Sequence, residues 1–320
     1  MDDLPPPVAD APCVHLSTLM RIAISGASGF LGRLVAERLA TAGHSVRPLV
    51  RTVSANETGD AIRWDPDAGT LDPAALSGLD AVVHLAGEPI DRRWTQERKR
   101  RIRESRVRGT ETIARAIAAA RRPGMVLISG SAVGIYGDRG DEVLDERSGA
   151  GRDFLAGVAV EWERATDPAR DSGARVVQLR TGLVLAAAGG ALARMLPIFR
   201  LGAGGPLGSG RQWMSWIARE DFARAVLFLL GAPEAAGPVN LVAPHPVRNA
   251  EFARTLGAVL HRPAVLPVPS RALTLLYGEM ARGTILASQR VLPLRLGELG
   301  FQFRFPLLPD ALAFEARGDA

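Results

Sequence analysis

Three glycines spaced three apart, Gly26, Gly29 and Gly32 in "SGASGFLG", constrain this chain more than any other feature. The apolar stretch "RIAISG" leads into them. After them Leu31, Leu34, Val35 and Leu39 recur at helical spacing until Gly43, and "HSVRPLVR" then reads as a second strand. A glycine run gains meaning in this order of strand, turn, helix and strand. The chain must bend sharply, a pyrophosphate must approach the backbone, and the helix must pack close to the strand; each demand removes a side chain. Free N–H groups at the helix start then suit a phosphate. A tight turn without a ligand is the alternative.

The end of the second strand normally selects the dinucleotide. A carboxylate there accepts hydrogen bonds from the adenosine ribose, whereas a cation can hold a 2′-phosphate. This chain has Arg51, with Thr52 beside it. NADP(H) is therefore expected over NAD(H), against the alternative that Arg51 is a solvated strand end. Asp65 follows a third short strand in "IRWDPDAGTLD", where a carboxylate can meet the adenine amino group. "DAVVHLAGEP" is an apolar strand whose end, Leu85, Ala86 and Gly87, leaves room for ribose and phosphate. His84 lies inside that strand and reads as packed core.

Composition removes several other classes. The 320 residues are 47% hydrophobic, enough for one large domain and a smaller one. No apolar run approaches the roughly 20 residues of a spanning helix, so no membrane partner is expected. Residues 1–19 carry acids and a proline run without the basic start of a signal peptide. They are expected to be a disordered extension, with Met20 as an alternative start. Cys13 is the only cysteine, which leaves no disulfide framework and fits a reducing cytoplasm. The histidines at 15, 44, 84, 245 and 261 are scattered, and no metal is expected. Net charge is +5, but Lys99 is the only lysine and 34 acids offset the arginines spread along the chain. With no aromatic platform and no basic tail, nucleic acid is not an expected partner. The dense cluster from 92 to 108 is interleaved with Glu97 and Glu104 and reads as part of one helix over about 94–120.

The glycine turn, "HLAG" and "SRVRGTETIARAI" together resemble the extended short-chain dehydrogenase/reductase superfamily, which includes nucleotide-sugar epimerases and dehydratases. "WDP", "GEPIDRRW", "SRV", "ISGSAVGIYGD" and "GEMARGTILASQRVLPLRLGELGFQFRFP" are similar to one branch of it, epimerase-like proteins with a small C-terminal domain of unknown function. The resemblance runs from Arg21 almost to the C-terminus. It implies an α/β, Rossmann-type doubly wound parallel sheet with a smaller C-terminal α+β domain on the substrate side. The expected division is an NADP-binding domain over 20–245, with 185–216 contributing to the substrate side, and a small domain over 246–320. The turn residues Gly26, Ser28, Gly29, Phe30, Leu31 and Gly32 are the implied cofactor contacts, with Arg51, Asp65 and Leu85 to Gly87.

Hydride transfer in that superfamily relies on a Ser or Thr with a Tyr-x-x-x-Lys pair, in which the lysine lowers the tyrosine pKa so that a phenolate can act as base. This chain cannot build the pair. Its tyrosines, Tyr136 and Tyr277, have no lysine four positions on, and "DFLAGVAVEWERA" offers Phe154, Leu155 and Ala159 where the pair belongs. Ser131 matches the superfamily's serine and Tyr136 the tyrosine of its V-Y-G turn; both are candidate catalytic residues on a loop expected to face the nicotinamide. Arg106 stands where the superfamily usually has an asparagine. The resemblance implies that Arg106, with Arg101, reaches the cofactor phosphates or an anionic substrate; a solvated helix face is the alternative. Gly182, near the end of "ARVVQLRTGLVL", would allow close approach to the nicotinamide. Arg211, Gln212, Trp213 and Trp216 are candidate substrate liners, or else a packed loop, in a glycine-rich stretch without periodicity up to a helix at Arg219. "FQFRF" reads as a final strand. Two functions follow: an NADP(H)-dependent oxidoreductase or epimerase acting on a small polar or nucleotide-linked molecule, or a non-catalytic NADP(H)-binding regulator. Oligomeric state is left open.

Overall fold

Strands and helices alternate through the first half of the chain. The computed structural model describes residues 19–51 and 61–316; the expected extension, Cys13 and Thr52 lie outside that range, which begins at Leu19. The alternation runs β1 (Arg21–Ser25), α1 (Phe30–Thr41), β2 (Ser45–Val50), β3 (Ile62–Asp65), β4 (Thr70–Leu71), β5 (Ala81–His84), α2 (Gln96–Ala120), β6 (Val126–Ala132), β7 (Val143–Leu144), α3 (Phe154–Arg164), α4 (Asp167–Asp171) and β8 (Arg175–Thr181). The second half adds β9 (Leu183–Leu185), α5 (Gly190–Arg200), β10 (Trp213–Met214), β11 (Trp216–Ala218), α6 (Arg219–Gly231), β12 (Gly237–Leu241) and β13 (Val247–Arg248). It ends with α7 (Asn249–Val259), α8 (Ser270–Tyr277), β14 (Arg290–Val291), α9 (Leu294–Glu298) and α10 (Leu308–Ala316).

Eight strands form one sheet in the order β12-β8-β6-β5-β1-β2-β3-β4. Every pairing is parallel except β3 with β4. From β1 the chain steps outward to β2 and later returns to β5 on the other side, so the switch point where such folds bind ligands lies between β1 and β5. Helices cover both faces, which is why the central strands are apolar almost throughout. Ile22, Ile24, Val83, Ile128 and Leu179 face Val35 and Leu39 of α1 and Phe222 and Val226 of α6. The alternate residues Ala23, Leu49, Val82, Leu127 and Val176 face Ile113 and Ile117 of α2.

The sequence spacing places the long helix well: α2 starts at Gln96, where Thr95 caps it by accepting from the Arg98 N–H (3.1 Å). Two expectations do not hold. The glycine-rich stretch before Arg219, which opens with "LPIFR" at Leu196, reads as without periodicity, yet those first residues lie inside α5, which continues to Arg200 despite Pro197. "FQFRF" is not a strand. The buried carboxylate of Asp221, at the start of α6, accepts the backbone N–H groups of Arg304 (2.7 Å) and Phe305 (2.8 Å), groups a neighbouring strand would otherwise use. Phe301 stacks edge-on against Phe228 and Phe303. The C-terminal part is joined to the large sheet's domain by β14 pairing with β7, and its α7 and α10 share a core with α5 and Trp216.

Candidate functional site

Each glycine of the opening turn meets a different steric demand. Gly26 ends β1 with φ at +75°, and a Cβ there would lie 2.9 Å from the Ala86 backbone nitrogen at the end of β5. The Gly29 N–H donates to the Gly26 carbonyl (2.8 Å), and Gly29 then serves as the N-cap of α1. Gly32 faces the strand so closely that a Cβ would sit 2.0 Å from the Gly26 oxygen. No side chain caps the start of α1. A bare, positively polarised helix terminus beside an exposed Ser28 and Gly29 has the chemistry to hold an anion such as a diphosphate. Phe30 and Leu31 are half-buried beside it, and Phe30 lies against Gly189, where a Cβ would come within 2.7 Å of its ring.

The end of β2 is exposed. Arg51 follows β2 at the surface, one strand over from the turn. Arg33, which sequence reasoning passed over, folds back so that Nη2 donates to the Ser28 carbonyl (3.3 Å). Its signal is an arginine directly after the third glycine. Asp65 Oδ1 accepts the N–H groups of Asp67 (2.9 Å) and Ala68 (3.0 Å), so one of its oxygens holds its own turn together.

At the end of β5, His84 is fully buried, as expected of core: Nδ1 is 2.5 Å from the Ser25 hydroxyl, and the ring meets Trp64 edge-on. Burial, aided by the nearby Arg106 charge, lowers its pKa to about 4. Leu85 and Ala86 are half-buried and Gly87 is exposed. Arg106 reaches this edge from α2. Its Nη1 donates to the carbonyls of Glu88 (2.9 Å) and Ile102 (3.1 Å), and its guanidinium stacks 5.0 Å above the Trp162 ring. Burial lowers its pKa to about 10, with Glu88 acting in the opposite sense. Arg101 is not with it: it points to solvent and pairs with Glu97. Five residues separate the two arginines, which puts them on different faces of the helix.

The expected reaction centre holds a closed network. Ser131 and Tyr136 do not share an open loop: Ser131 lies within β6, and Tyr136 is fully buried in the turn after it. The Ser131 hydroxyl donates to Glu163 Oε1 (2.7 Å), a carboxylate on α3 gripped by Arg180 through Nε (2.8 Å) and Nη2 (2.9 Å). Arg180 Nη1 also donates to the Tyr136 hydroxyl (3.0 Å), which in turn donates to Asn240 Oδ1 (2.7 Å). Burial pushes the Tyr136 pKa up to about 12, more than Arg180 lowers it. The sequence carried a signal for Arg180, since residues 129, 131, 178 and 180 are polar at every second position on two adjacent strands, but none for Glu163 on α3.

Where the Tyr-x-x-x-Lys pair would stand, Phe154 and Leu155 pack with Trp94, Met280, Tyr277 and Ile285, and Ala159 packs beside Tyr136. The lone Lys99 comes close after all. Its ammonium lies 5.0 Å from the Phe154 ring centroid and pairs with Glu279.

In the region expected to line the substrate, a Cβ at Gly182 would meet the Ser215 carbonyl oxygen at 2.6 Å, so the chain's own backbone uses the close approach there. Trp216 and Gln212 are buried and donate to the carbonyls of His245 (3.0 Å) and Leu207 (3.0 Å). Trp213 is half-buried between the guanidinium groups of Arg248 and Arg290, and Arg211 is exposed. An apolar cavity of about 90 Å³ opens between α5 and α7, with Met195, Phe199, Leu207, Phe252 and Val268 in its walls. Among the described residues no helix is long and apolar enough to cross a membrane, and no group of three or more His, Cys, Asp or Glu is placed to hold a metal.

Comparison with known proteins places this architecture. Residues 22–242 match the model of the NAD dependent epimerase/dehydratase family, and residues 268–315 match a domain of unknown function, DUF1731. The chain is 46% identical over 294 residues to the epimerase family protein Mb2239 of Mycobacterium bovis, covering 92% of this chain and 96% of that one. Identity to the human epimerase family protein SDR39U1 is 37%, over 92% of this chain and 98% of that one. The crystal structure of human SDR39U1 (isoform 2) with NADPH superposes with a TM-score of 0.85 at 35% identity, covering 93% of this chain and all of that one. A nucleoside-diphosphate sugar epimerase from Corynebacterium glutamicum superposes at 0.75 with 38% identity, over 93% of this chain and 58% of that one.

Proposed function

The chain belongs to the NAD dependent epimerase/dehydratase family, and on that premise we propose that it binds NADPH and acts as an oxidoreductase or epimerase-like enzyme on a small polar or nucleotide-linked molecule in the cytoplasm. The observation that carries this reading is the turn at Gly26, Gly29 and Gly32. Its backbone leaves no room for a Cβ at Gly26 or Gly32, and the helix start beside it has no side-chain cap. The bound cofactor would supply hydride transfer. The chain's own part is to hold the diphosphate on the N–H groups at the start of α1, to lay the rest along Leu85, Ala86 and Gly87, and to meet the 2′-phosphate with Arg51. Arg33 stands on the same exposed side of the turn and adds a second cation. The family relative crystallised with NADPH supports the choice of dinucleotide.

Replacing Arg51 with Ala tests the reading. NADPH affinity, followed by nicotinamide fluorescence, should fall about tenfold while NADH affinity stays within about twofold, because one charge-assisted contact to a phosphate is lost. Equal affinity of the unaltered protein for NADH and NADPH would remove Arg51 from the site.

A second reading has its own observation. The apolar cluster of Trp94, Phe154, Leu155 and Met280 fills the place of the acid–base pair, which suits a non-catalytic protein whose NADPH-bound form is read by a partner. Turnover of NADPH with carbonyl compounds or nucleotide sugars separates the two readings.

A further inference from the structure

Arg106 is a half-buried cation whose protein neighbours use only part of its donor set. Several other guanidinium groups among the described residues have a carboxylate or a set of carbonyls to themselves. Arg180 has Glu163, Arg224 has Asp221, and Arg175 spends its donors on the carbonyls of Leu229, Leu230 and Ala235. Arg106 donates only from Nη1, to two carbonyls. Among the described residues no carboxylate lies within ion-pair reach of it, and Glu88 is turned toward Arg98 (3.4 Å). Its Nε and Nη2 have no protein acceptor among those residues. These two N–H groups form one edge of the guanidinium, the parallel fork that two oxygens of a single anion match.

The position of that edge narrows the anion. A Cβ at exposed Gly87 would lie 3.4 Å from the Arg106 Cζ and 3.5 Å from Nη2, so the guanidinium stands at the C-terminal end of β5. Trp162, beneath it, packs against Gly130 of β6. Arg106 therefore lies on the β5–β6 side of the switch point, whereas Arg51 and Asp65 lie on the β2–β3 side. A dinucleotide whose diphosphate rests on the turn after β1 and whose adenosine lies toward β2 has its nicotinamide end near Arg106. A single fork on a ring face, with no second cation bonded beside it, suits one negative charge better than two.

We propose that Arg106 binds a carboxylate group of the substrate, so that the substrate class is a small carboxylic acid held by a bidentate ion pair at the nicotinamide end. The inference rests on the proposed NADPH site. It also accounts for a centre without tyrosine and lysine: orientation of the substrate falls to a guanidinium, which stays charged at every physiological pH. A cofactor phosphate offers the same pair of oxygens, and the test separates the two sources.

The test titrates oxamate, a small carboxylate, and oxamide, its neutral counterpart, into the NADPH-saturated protein by calorimetry. Oxamate should bind at least about tenfold more tightly than oxamide. Arg106→Gln and Arg106→Lys should each weaken oxamate about tenfold or more, Lys because it keeps the charge and loses the fork, while NADPH affinity changes less than about threefold. Equal binding of oxamate and oxamide, no binding of either, or oxamate affinity untouched by both substitutions would each overturn the proposal. So would a tenfold loss of NADPH affinity in the variants, which would assign the edge to a cofactor phosphate. Arg106 Nη1 ties Glu88 to Ile102, so thermal melting checks that the variants fold; if Gln fails, the Lys variant and the oxamate–oxamide comparison on the unaltered protein decide. Failure of the unaltered protein to bind NADPH would sink the proposed cofactor reading instead, and the same two titrations on the free protein would still decide whether Arg106 takes a carboxylate.

Discussion

At the turn after β1 the working surface is backbone, and side chains are excluded from it: a Cβ at Gly32 would lie 2.0 Å from the Gly26 oxygen, and one at Gly26 would press on Ala86. At the ends of β6 and β8 the surface is made of side chains that bond to one another: Ser131, Glu163, Arg180, Tyr136 and Asn240 form one connected set. The first region leaves its donors bare, so it is ready for a ligand. The second satisfies its polar groups internally, which stabilises the fold and leaves little for chemistry.

The sharpest way to break this contrast is Gly32→Ala. The three atoms nearest a Cβ there, Gly26 O, Gly26 C and Ala27 N, all belong to backbone, so no side chain can move aside. The substitution should cost about 3 kcal/mol of stability, and NADPH affinity of the folded protein should fall about 100-fold as α1 is pushed off β1. Urea unfolding and a fluorescence titration measure the two effects. Unchanged binding would mean that the turn serves packing alone.

Arg180→Gln probes the closed region. It leaves the Glu163 carboxylate largely buried without its cation, and losing one partner of such a pair costs about 3–5 kcal/mol. If the network is structural, NADPH affinity stays within about threefold, as for distant independent sites. A large loss of affinity with intact stability would make the network part of the ligand site.

Between the two regions, His84 supplies a pH test. Its folded pKa, about 4, lies below the ordinary histidine value of 6.5, so the unfolded chain binds this proton first as pH falls. The neutral ring's stabilising contribution is complete above pH 6.5 and is lost as pH drops toward 4. The difference amounts to about 3 kcal/mol by linkage. Denaturation curves at pH 7 and pH 4.5 should show a loss that His84→Gln largely abolishes. An identical loss in the variant would place the acid sensitivity elsewhere, for instance in other buried groups.

The glycine turn was legible in the sequence because its constraint is local: three glycines between a strand and a helix demand one geometry whatever surrounds them. The long helix and the central strands were legible for the same reason, through period and apolar runs. The closed region was not, since it is assembled from residues 131, 136, 163, 180 and 240, and no window of sequence shows that they meet. Trp216, offered as a liner or as part of a packed loop, is core, because a stretch without periodicity does not show which side chains turn inward; the resemblance groups Arg101 with Arg106, but five positions along α2 turn the two to different faces. "FQFRF" has the alternation of a strand, and a single carboxylate, Asp221, takes the N–H groups that a strand would need.

The mildest substitution, Tyr136→Phe, sharpens the comparison most. Removing the hydroxyl takes an acceptor from Arg180 and a donor from Asn240, while Arg180 Nη1 keeps the Glu146 carbonyl (3.2 Å). The expected loss is about 1–2 kcal/mol, read from the shift in the urea midpoint. With its pKa pushed up to about 12 by burial, Tyr136 carries no phenolate at neutral pH. A titration of phenolate absorbance should therefore show one of the two tyrosines ionising late, and that late component should vanish in the variant. A variant of unchanged stability whose turnover collapses would instead show that the hydroxyl reaches the reacting atoms, and the second region would no longer be the closed one.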